Sequence, residues 1–257
     1  MSIKGRAARA FVRGLSVVTP PGWELFLLPK RGDAPGQLYA EDGLYTDKTH
    51  EFVNDPVFAR AYARGVKAAG WDYHVHWRVH AALWAAATAS RVDGDFVECG
   101  TGRGMFASAI LESLPWSSLD RRFLLIDTFV PFRVGDAGAQ GAESGTSEHY
   151  ANDLESVKAN FAEWERVELV QGRVPEVLAD VDVDHVAFLH IDLNSPEPER
   201  AALEHFWPKL SAGAVVLLDD YGFPGEHYQQ KVAVDAFAKQ AGTQVLGVPT
   251  GQGLIVK

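Results

Sequence analysis

Five short apolar runs, each followed by a segment of different periodicity, constrain this chain more than any other feature. They occupy residues 95–99, 123–127, 167–170, 186–192 and 214–219. A strand with one wet face alternates apolar and polar residues. These runs are nearly continuous, so both of their faces must be covered. Strands of that kind separated by helical segments predict a parallel sheet with helices on both faces. The last two runs, 244–248 and 253–256, have only Pro249-Thr250-Gly251-Gln252 between them. That gap is too short for a crossover helix, so the pair is expected to close the sheet as an antiparallel hairpin. The expected class is α/β: a Rossmann-like, mostly parallel, seven-stranded sheet with a C-terminal antiparallel hairpin.

Before the first run, Asn54-Asp55-Pro56 marks a helix start for residues 57–69, with proline in the first turn. Val75, Val79, Leu83 and Ala86 recur at helical spacing, which predicts a long helix over residues 72–90. Residues 1–70 read as an N-terminal helical and loop extension, and residues 71–257 as the main domain. The extension carries Lys4, Arg6, Arg9 and Arg13 on a basic helical stretch, expected to dock on its own domain or on a second copy in a homo-oligomer. A Gly-, Ala-, Ser- and Asp-rich stretch at residues 130–148 follows the second strand and is expected to form a lid. The chain carries 34 Asp and Glu against 24 Lys and Arg, a net charge of −10. Such a surface repels phosphates and argues against a nucleic-acid or anionic-membrane partner. The single Cys99 allows no internal disulfide, and no apolar run approaches the roughly 20 residues that span a bilayer. A cytoplasmic enzyme with a small-molecule partner is the expectation.

The first strand runs into Glu98-Cys99-Gly100-Thr101-Gly102-Arg103-Gly104, at the carboxyl end where open α/β sheets bind ligands. Glycines there let the backbone turn sharply and approach a ligand. The spacing is not the G-x-G-x-x-G of dinucleotide enzymes. Glu98 would repel a pyrophosphate but accept hydrogen bonds from an ammonium group, which favours a ligand with an amino-acid portion such as S-adenosylmethionine. Asp127, ending the second strand, is placed to grip ribose hydroxyls; the alternative is a helix N-cap or a solvated loop acid. Gly172 and Arg173 after the third strand are placed near the adenine edge, or form a simple turn.

Asp192 ends the fourth strand, and Asp219 and Asp220 end the fifth. Neighbouring strands lie about 4.8 Å apart, so the three carboxylates should converge, and they repel one another unless protonated or bound to a cation. An all-oxygen cluster suits Mg²⁺; the alternative is that Asp192 and Asp220 cap the helices that follow. His227, in the loop after the Asp pair, is a candidate base; the alternative is a surface histidine. His76 and His80 stand four apart on a helix, a spacing that zinc can use, but no Glu follows His76, and packing or substrate contact is expected of them.

The combination of Asp72-Tyr73-His74, Trp77-Arg78-Val79-His80, Phe96-Val97-Glu98-Cys99-Gly100 and Ile126-Asp127-Thr128-Phe129 resembles the macrocin O-methyltransferase (TylF-like) family. Its strongest part is Trp207-Pro208-Lys209-Leu210, Gly213, Asp219-Asp220-Tyr221-Gly222 and Ala233-Val234-Asp235-Ala236-Phe237. The resemblance covers about residues 70 to 257. It implies a class I methyltransferase fold, S-adenosylmethionine and Mg²⁺ as cofactors, and a hydroxyl acceptor, often a sugar of an antibiotic. Glu98, Gly100, Thr101, Gly102, Asp127, Thr128, Gly172 and Arg173 are the residues expected to contact the methyl donor. The resemblance implies that Asp192, Asp219 and Asp220 hold the metal; Asp192 and His227 are the expected catalytic groups. One position departs from the family: Asn194 stands where members often carry a second acid, proposed there as general base, and Asn cannot accept that proton. The rival readings are a nicotinamide-dependent oxidoreductase, which leaves the Asp cluster unexplained, and a cofactor-binding protein without turnover.

Overall fold

The computed structural model describes residues 38–130 and 153–257. The basic stretch of the extension, and all of the expected lid except Val130, lie outside the described residues. By contacts the chain divides into two compact units, Met1–Glu51 and Phe52–Lys257. In the first unit, strands β1 (Tyr39–Glu41) and β2 (Leu44–Thr46) pair antiparallel. Asp42 and Gly43 join them with φ of 49° and 70°, the left-handed pair that a tight two-residue hairpin requires.

The second unit is built on one seven-stranded sheet. Its strands are β3 (Asp95–Cys99), β4 (Phe123–Asp127), β5 (Val167–Gln171), β6 (Val186–Ile191), β7 (Leu210–Leu218), β8 (Leu246–Gly247) and β9 (Gly253–Val256). Their spatial order is β5-β4-β3-β6-β7-β9-β8, with β3 to β7 parallel and β9 antiparallel to both β7 and β8. All five parallel runs and the closing hairpin fall where the apolar pattern puts them, although β7 starts four residues before the expected 214.

Alternation along these strands sorts the core into two faces. Val97, Cys99, Leu124, Ile126, Leu189, Ile191, Val216 and Leu218 face helices α5 (Pro196–Phe206) and α6 (Tyr228–Ala241). Phe96, Phe123, Leu125, Phe188, Val215 and Leu217 face α2 (His76–Ala89), α3 (Met105–Ser113) and α4 (Leu154–Phe161). The second face is padded by Ala82, Ala85, Ala86 and Ala89 of α2, whose small side chains let the helix lie close to the strands. Among the described residues, no helix is long and apolar enough to cross a membrane.

Helix α1 (Pro56–Ala69) begins as its sequence requires. Asp55 accepts from the N–H groups of Val57 and Phe58, and Pro56 occupies the first turn. The sequence reading assigned this helix to the extension, but it packs inside the second unit. Its Gly65 crosses α3 so closely that a Cβ there would lie 2.7 Å from the Met105 carbonyl oxygen. The second unit accordingly starts at Phe52 rather than near residue 71.

The long helix also differs from expectation, starting at His76 and not at residue 72. Asp72 turns its carboxylate onto the His74 N–H at 2.8 Å and accepts the Tyr62 hydroxyl at 2.5 Å, while His74 takes φ 55°. That local turn outcompetes the extra helical turn, as short polar side chains do.

Strand order reverses between β3 and β6, which opens the crevice where doubly wound sheets bind ligands. The backbone closes tightly here. Gly100 has φ +90°, and a Cβ on it would sit 1.8 Å from the Asp192 carbonyl oxygen. We expect Gly100→Ala to lower stability by about 2–5 kcal/mol, from left-handed strain and backbone overlap together. Urea denaturation of both proteins measures this, and an unchanged midpoint would contradict the close approach.

Candidate active site

The glycine turn is clamped from the neighbouring strand. Asp127 Oδ2 accepts the Gly102 N–H at 2.8 Å, and Oδ1 accepts the Phe129 N–H at 2.9 Å and the Thr128 hydroxyl at 3.3 Å. A carboxylate offers about four lone-pair positions, so Asp127 positions the turn and keeps acceptor capacity. Gly172 continues the same edge: its N–H donates to the Asp127 carbonyl at 2.9 Å, whereas Arg173 beside it is exposed. Glu98 Oε2 and the Thr101 hydroxyl are buried without a hydrogen-bond partner among the described residues. Buried polar atoms of that kind mark places where a ligand can complete the bonding. Cys99 next to them is inert, because burial, Glu98 and Asp127 all push its thiol far above the usual range.

On the other side of the crevice, Asp192, Asp219 and Asp220 each bring one oxygen into a group spanning no more than 4.8 Å. The expected convergence is therefore met. The three differ in electrostatic state. Asp219 is buried, which raises a carboxyl, but the Arg78 guanidinium and the His190 imidazole outweigh burial and hold it down at about 2. Its Oδ2 meets Arg78 Nη1, and its Oδ1 accepts from Gln252 Nε2 at 2.8 Å. Asp220 is pushed up to about 6 by burial and by Asp219. Asp192 is raised by burial and by both neighbouring acids. Among the described residues, Asp220 Oδ2 is buried without a hydrogen-bond partner, while Arg78 Nη1 lies 3.8 Å from Oδ1 of the same residue. One arginine thus matches part of the charge of three carboxylates. The excess negative charge and all-oxygen donor set fit a hard divalent cation such as Mg²⁺.

Behind the cluster, His190 joins the two halves of the site. It is fully buried within β6, and its Nδ1 lies 2.8 Å from Glu98 Oε1, with Nε2 4.0 Å from Asp219 Oδ1. Burial alone would lower this imidazole, but Asp219 and Glu98 outweigh it and raise it to about 10. His190 therefore stands as an imidazolium between an acid of the glycine turn and an acid of the cluster.

His227 lies on the rim, half-buried, its Nδ1 3.9 Å from Asp220 Oδ2. Asn194, with φ 54°, donates to Asp192 Oδ1 at 3.2 Å and supplies no carboxylate. His76 and His80 are packed against aromatic rings: Tyr62 stacks on His76 at 3.8 Å and Phe52 on His80 at 4.0 Å. Burial lowers the His80 imidazole, as expected of a ring packed among aromatic side chains. Tyr221 is buried with its hydroxyl 2.6 Å from Asp235, a core role.

Several residues of the site escaped the sequence reading: Arg78, His190, Glu199, Gln230 and Gln252. His190 had left a signal, since a titratable side chain inside a strand covered on both faces must find a charged partner. Glu199 had not, because its first-turn position on α5 looks like ordinary helix-dipole placement.

A family model described as Macrocin-O-methyltransferase (TylF) matches residues 78–245. The 8-demethyl-8-(2,3-dimethoxy-alpha-L-rhamnosyl)-tetracenomycin-C 4'-O-methyltransferase of Streptomyces olivaceus is 32% identical over 145 residues, which are 52% of this chain and 55% of that protein. Demethyldecarbamoylnovobiocin O-methyltransferase of Streptomyces niveus is 30% identical over 146 residues, 51% of this chain and 54% of the relative. The chain spans about half the length of the curated relatives it matches. Among solved structures, the O-methyltransferase NovP superposes with a TM-score of 0.60 at 23% identity, covering 76% of this chain and 88% of that one. The calicheamicin methyltransferase CalS11 gives 0.53 at 19% identity, with 79% and 93% covered. The likeness to these two is one of fold, and the fold is that of class I O-methyltransferases.

Glu199 gives the site a measurable pH signature. It is 3% exposed, and burial raises its carboxyl from 4.5 to about 8 against the lowering effect of Gln230. Between those values the unfolded chain releases a proton that the native chain holds, so this residue erodes stability as pH rises through that window. We expect Glu199→Gln to gain on the natural sequence between pH 5 and pH 8, by up to roughly 1 kcal/mol per pH unit. Urea midpoints of the two proteins at several pH values measure the difference, and parallel pH profiles would contradict it.

Proposed function

Because this chain belongs to the macrocin O-methyltransferase (TylF) family, we propose that it is an enzyme moving a methyl group from S-adenosylmethionine to a hydroxyl of a small molecule. The acceptor we favour is a sugar or another intermediate of a natural product, the class to which the matched relatives' names point. The observation that carries the reading is the meeting of the glycine turn and the Asp192–Asp219–Asp220 cluster at one switch point.

In this reading Glu98 and Thr101 offer their unpartnered buried atoms to the amino-acid end of the donor. Gly100 and Gly102 let the donor approach the backbone, and Asp127 and Thr128 take the ribose. Gly172 and Arg173 border the adenine. Asp192, Asp219 and Asp220 would hold Mg²⁺, which would lower the pKa of the acceptor hydroxyl and offset the charge that develops on its oxygen. The chain's own work is orientation and charge placement. Asp127 fixes the turn, Arg78 and Gln252 fix Asp219, and Asn194 fixes Asp192. His227 takes the hydroxyl proton, the part Asn194 cannot play. Methyl transfer needs no covalent enzyme intermediate, so pre-organisation supplies most of the acceleration. A cytoplasmic location and a homo-oligomer organised by residues 1–70 belong to the same reading; light scattering of the full chain and of a chain lacking residues 1–30 tests the second.

Radiolabelled methyl transfer from S-adenosylmethionine across a panel of hydroxyl acceptors tests the activity. Asp220→Asn should lower kcat/KM by about 100-fold or more, and chelation should abolish turnover until Mg²⁺ is restored. Asp127→Ala should raise KM for the donor by about 10-fold, through loss of a turn clamp worth roughly 1.4 kcal/mol. A chelated enzyme with undiminished rate would remove the metal role, and absence of transfer to every acceptor would remove the activity.

A further inference from the structure

A line of buried polar groups leads from the interior between α5 and α6 to the rim of the site. Glu199 of α5 is 3% exposed and Gln230 of α6 is 1% exposed. Gln230 Nε2 lies 2.5 Å from Glu199 Oε1, and Gln230 Oε1 lies 2.8 Å from His227 Nδ1. Ionised carboxylates only accept hydrogen bonds, so above about pH 8, where Glu199 is ionised, it takes the N–H end of the Gln230 amide. The carbonyl end is then left for His227. An amide oxygen cannot donate, so the ring nitrogen that meets it must carry the proton. Asp220 Oδ2 lies 3.9 Å from the same nitrogen.

We propose that Glu199 and Gln230 are positioning residues that hold the His227 ring through its Nδ1–H, so that Nε2 is the ring nitrogen left to meet the acceptor hydroxyl. This deepens the methyltransferase reading and rests on it for the use made of that nitrogen. The hydroxyl proton passes to Nε2 and the oxygen keeps the bonding pair. That oxygen then forms the new bond to the methyl carbon as the carbon–sulfur bond of the sulfonium breaks, its electron pair going to sulfur. A ring bonded at one nitrogen has its tautomer and its orientation fixed together. The relay therefore does for His227 what a carboxylate partner does for a catalytic histidine elsewhere, through an intervening amide.

The test is nitrogen-15 NMR of the full-length, histidine-labelled protein with Mg²⁺ at pH 9, where Glu199 is ionised, with the His227 signals assigned by loss in His227→Gln. The expected spectrum shows a protonated Nδ1 and an unprotonated Nε2, and Gln230→Leu should move the ring to the Nε2–H form. In the methyltransferase assay at pH 9, Gln230→Leu should lower kcat about 10-fold or more with KM for the acceptor within about 2-fold. The same change made in His227→Gln should cost nothing further, an outcome that a merely structural role would not give. An Nε2–H ring in the natural sequence overturns the proposal, as does a tautomer indifferent to Gln230→Leu or an equal loss in the His227→Gln background. Should Gln230→Leu fail to fold, the spectrum of the natural sequence decides alone. A protonated Nδ1 in a protein that methylates nothing would support the relay and remove the function assigned to the site.

Discussion

Like charges crowded at the ends of two adjacent strands are the constraint around which this molecule is arranged. Asp219 and Asp220 follow β7 directly and Asp192 follows β6, and the parallel register puts Ile191 beside Leu218. The three acids therefore arrive together whatever their mutual repulsion. The chain answers with Arg78 from α2, the His190 imidazolium from β6 and the Gln252 amide. All three act on Asp219, which stays ionised at low pH, while Asp192 and Asp220 are lifted. An unevenly compensated cluster of this kind keeps room for one more cation.

The same compensation ties the two halves of the crevice. His190 sits between Glu98 and Asp219, so the acid leading into the glycine turn and an acid of the cluster share one buried positive charge. Removing that charge would leave uncompensated carboxylates in a low-dielectric interior, which typically costs about 3–5 kcal/mol. Stability and site geometry are thus the same interaction seen from two sides. Gly100 does the equivalent work sterically, because only a residue without Cβ lets the turn pass the Asp192 carbonyl.

The strands were readable because a sheet covered on both faces leaves continuous apolar runs, and 95–99 and 123–127 end where those runs end. The acids that close the runs were readable for the same reason, since a carboxylate cannot continue a buried strand. The start of α2 was less legible: the apolar spacing carries back to Val75, but the Asp72 turn, made with the hydroxyl of Tyr62 ten residues earlier, ends the helix at His76. The place of α1 was hidden too, because its fit against α3 depends on Gly65 meeting a backbone forty residues away.

What the sequence by itself determined is the ladder of parallel strands, the closing hairpin, the glycine turn and the three convergent acids. These follow from periodicity and from residue types at strand ends, which are local properties. What only the tertiary structure decided is which side chains stand against those acids: Arg78 from a helix far upstream, Gln252 from the final hairpin, His190 from the middle of a strand, and Glu199 with Gln230 from two helices packed on the opposite face. Their roles arise from distances between segments remote along the chain. Electrostatics depends on those distances, and no spacing within a single segment encodes them.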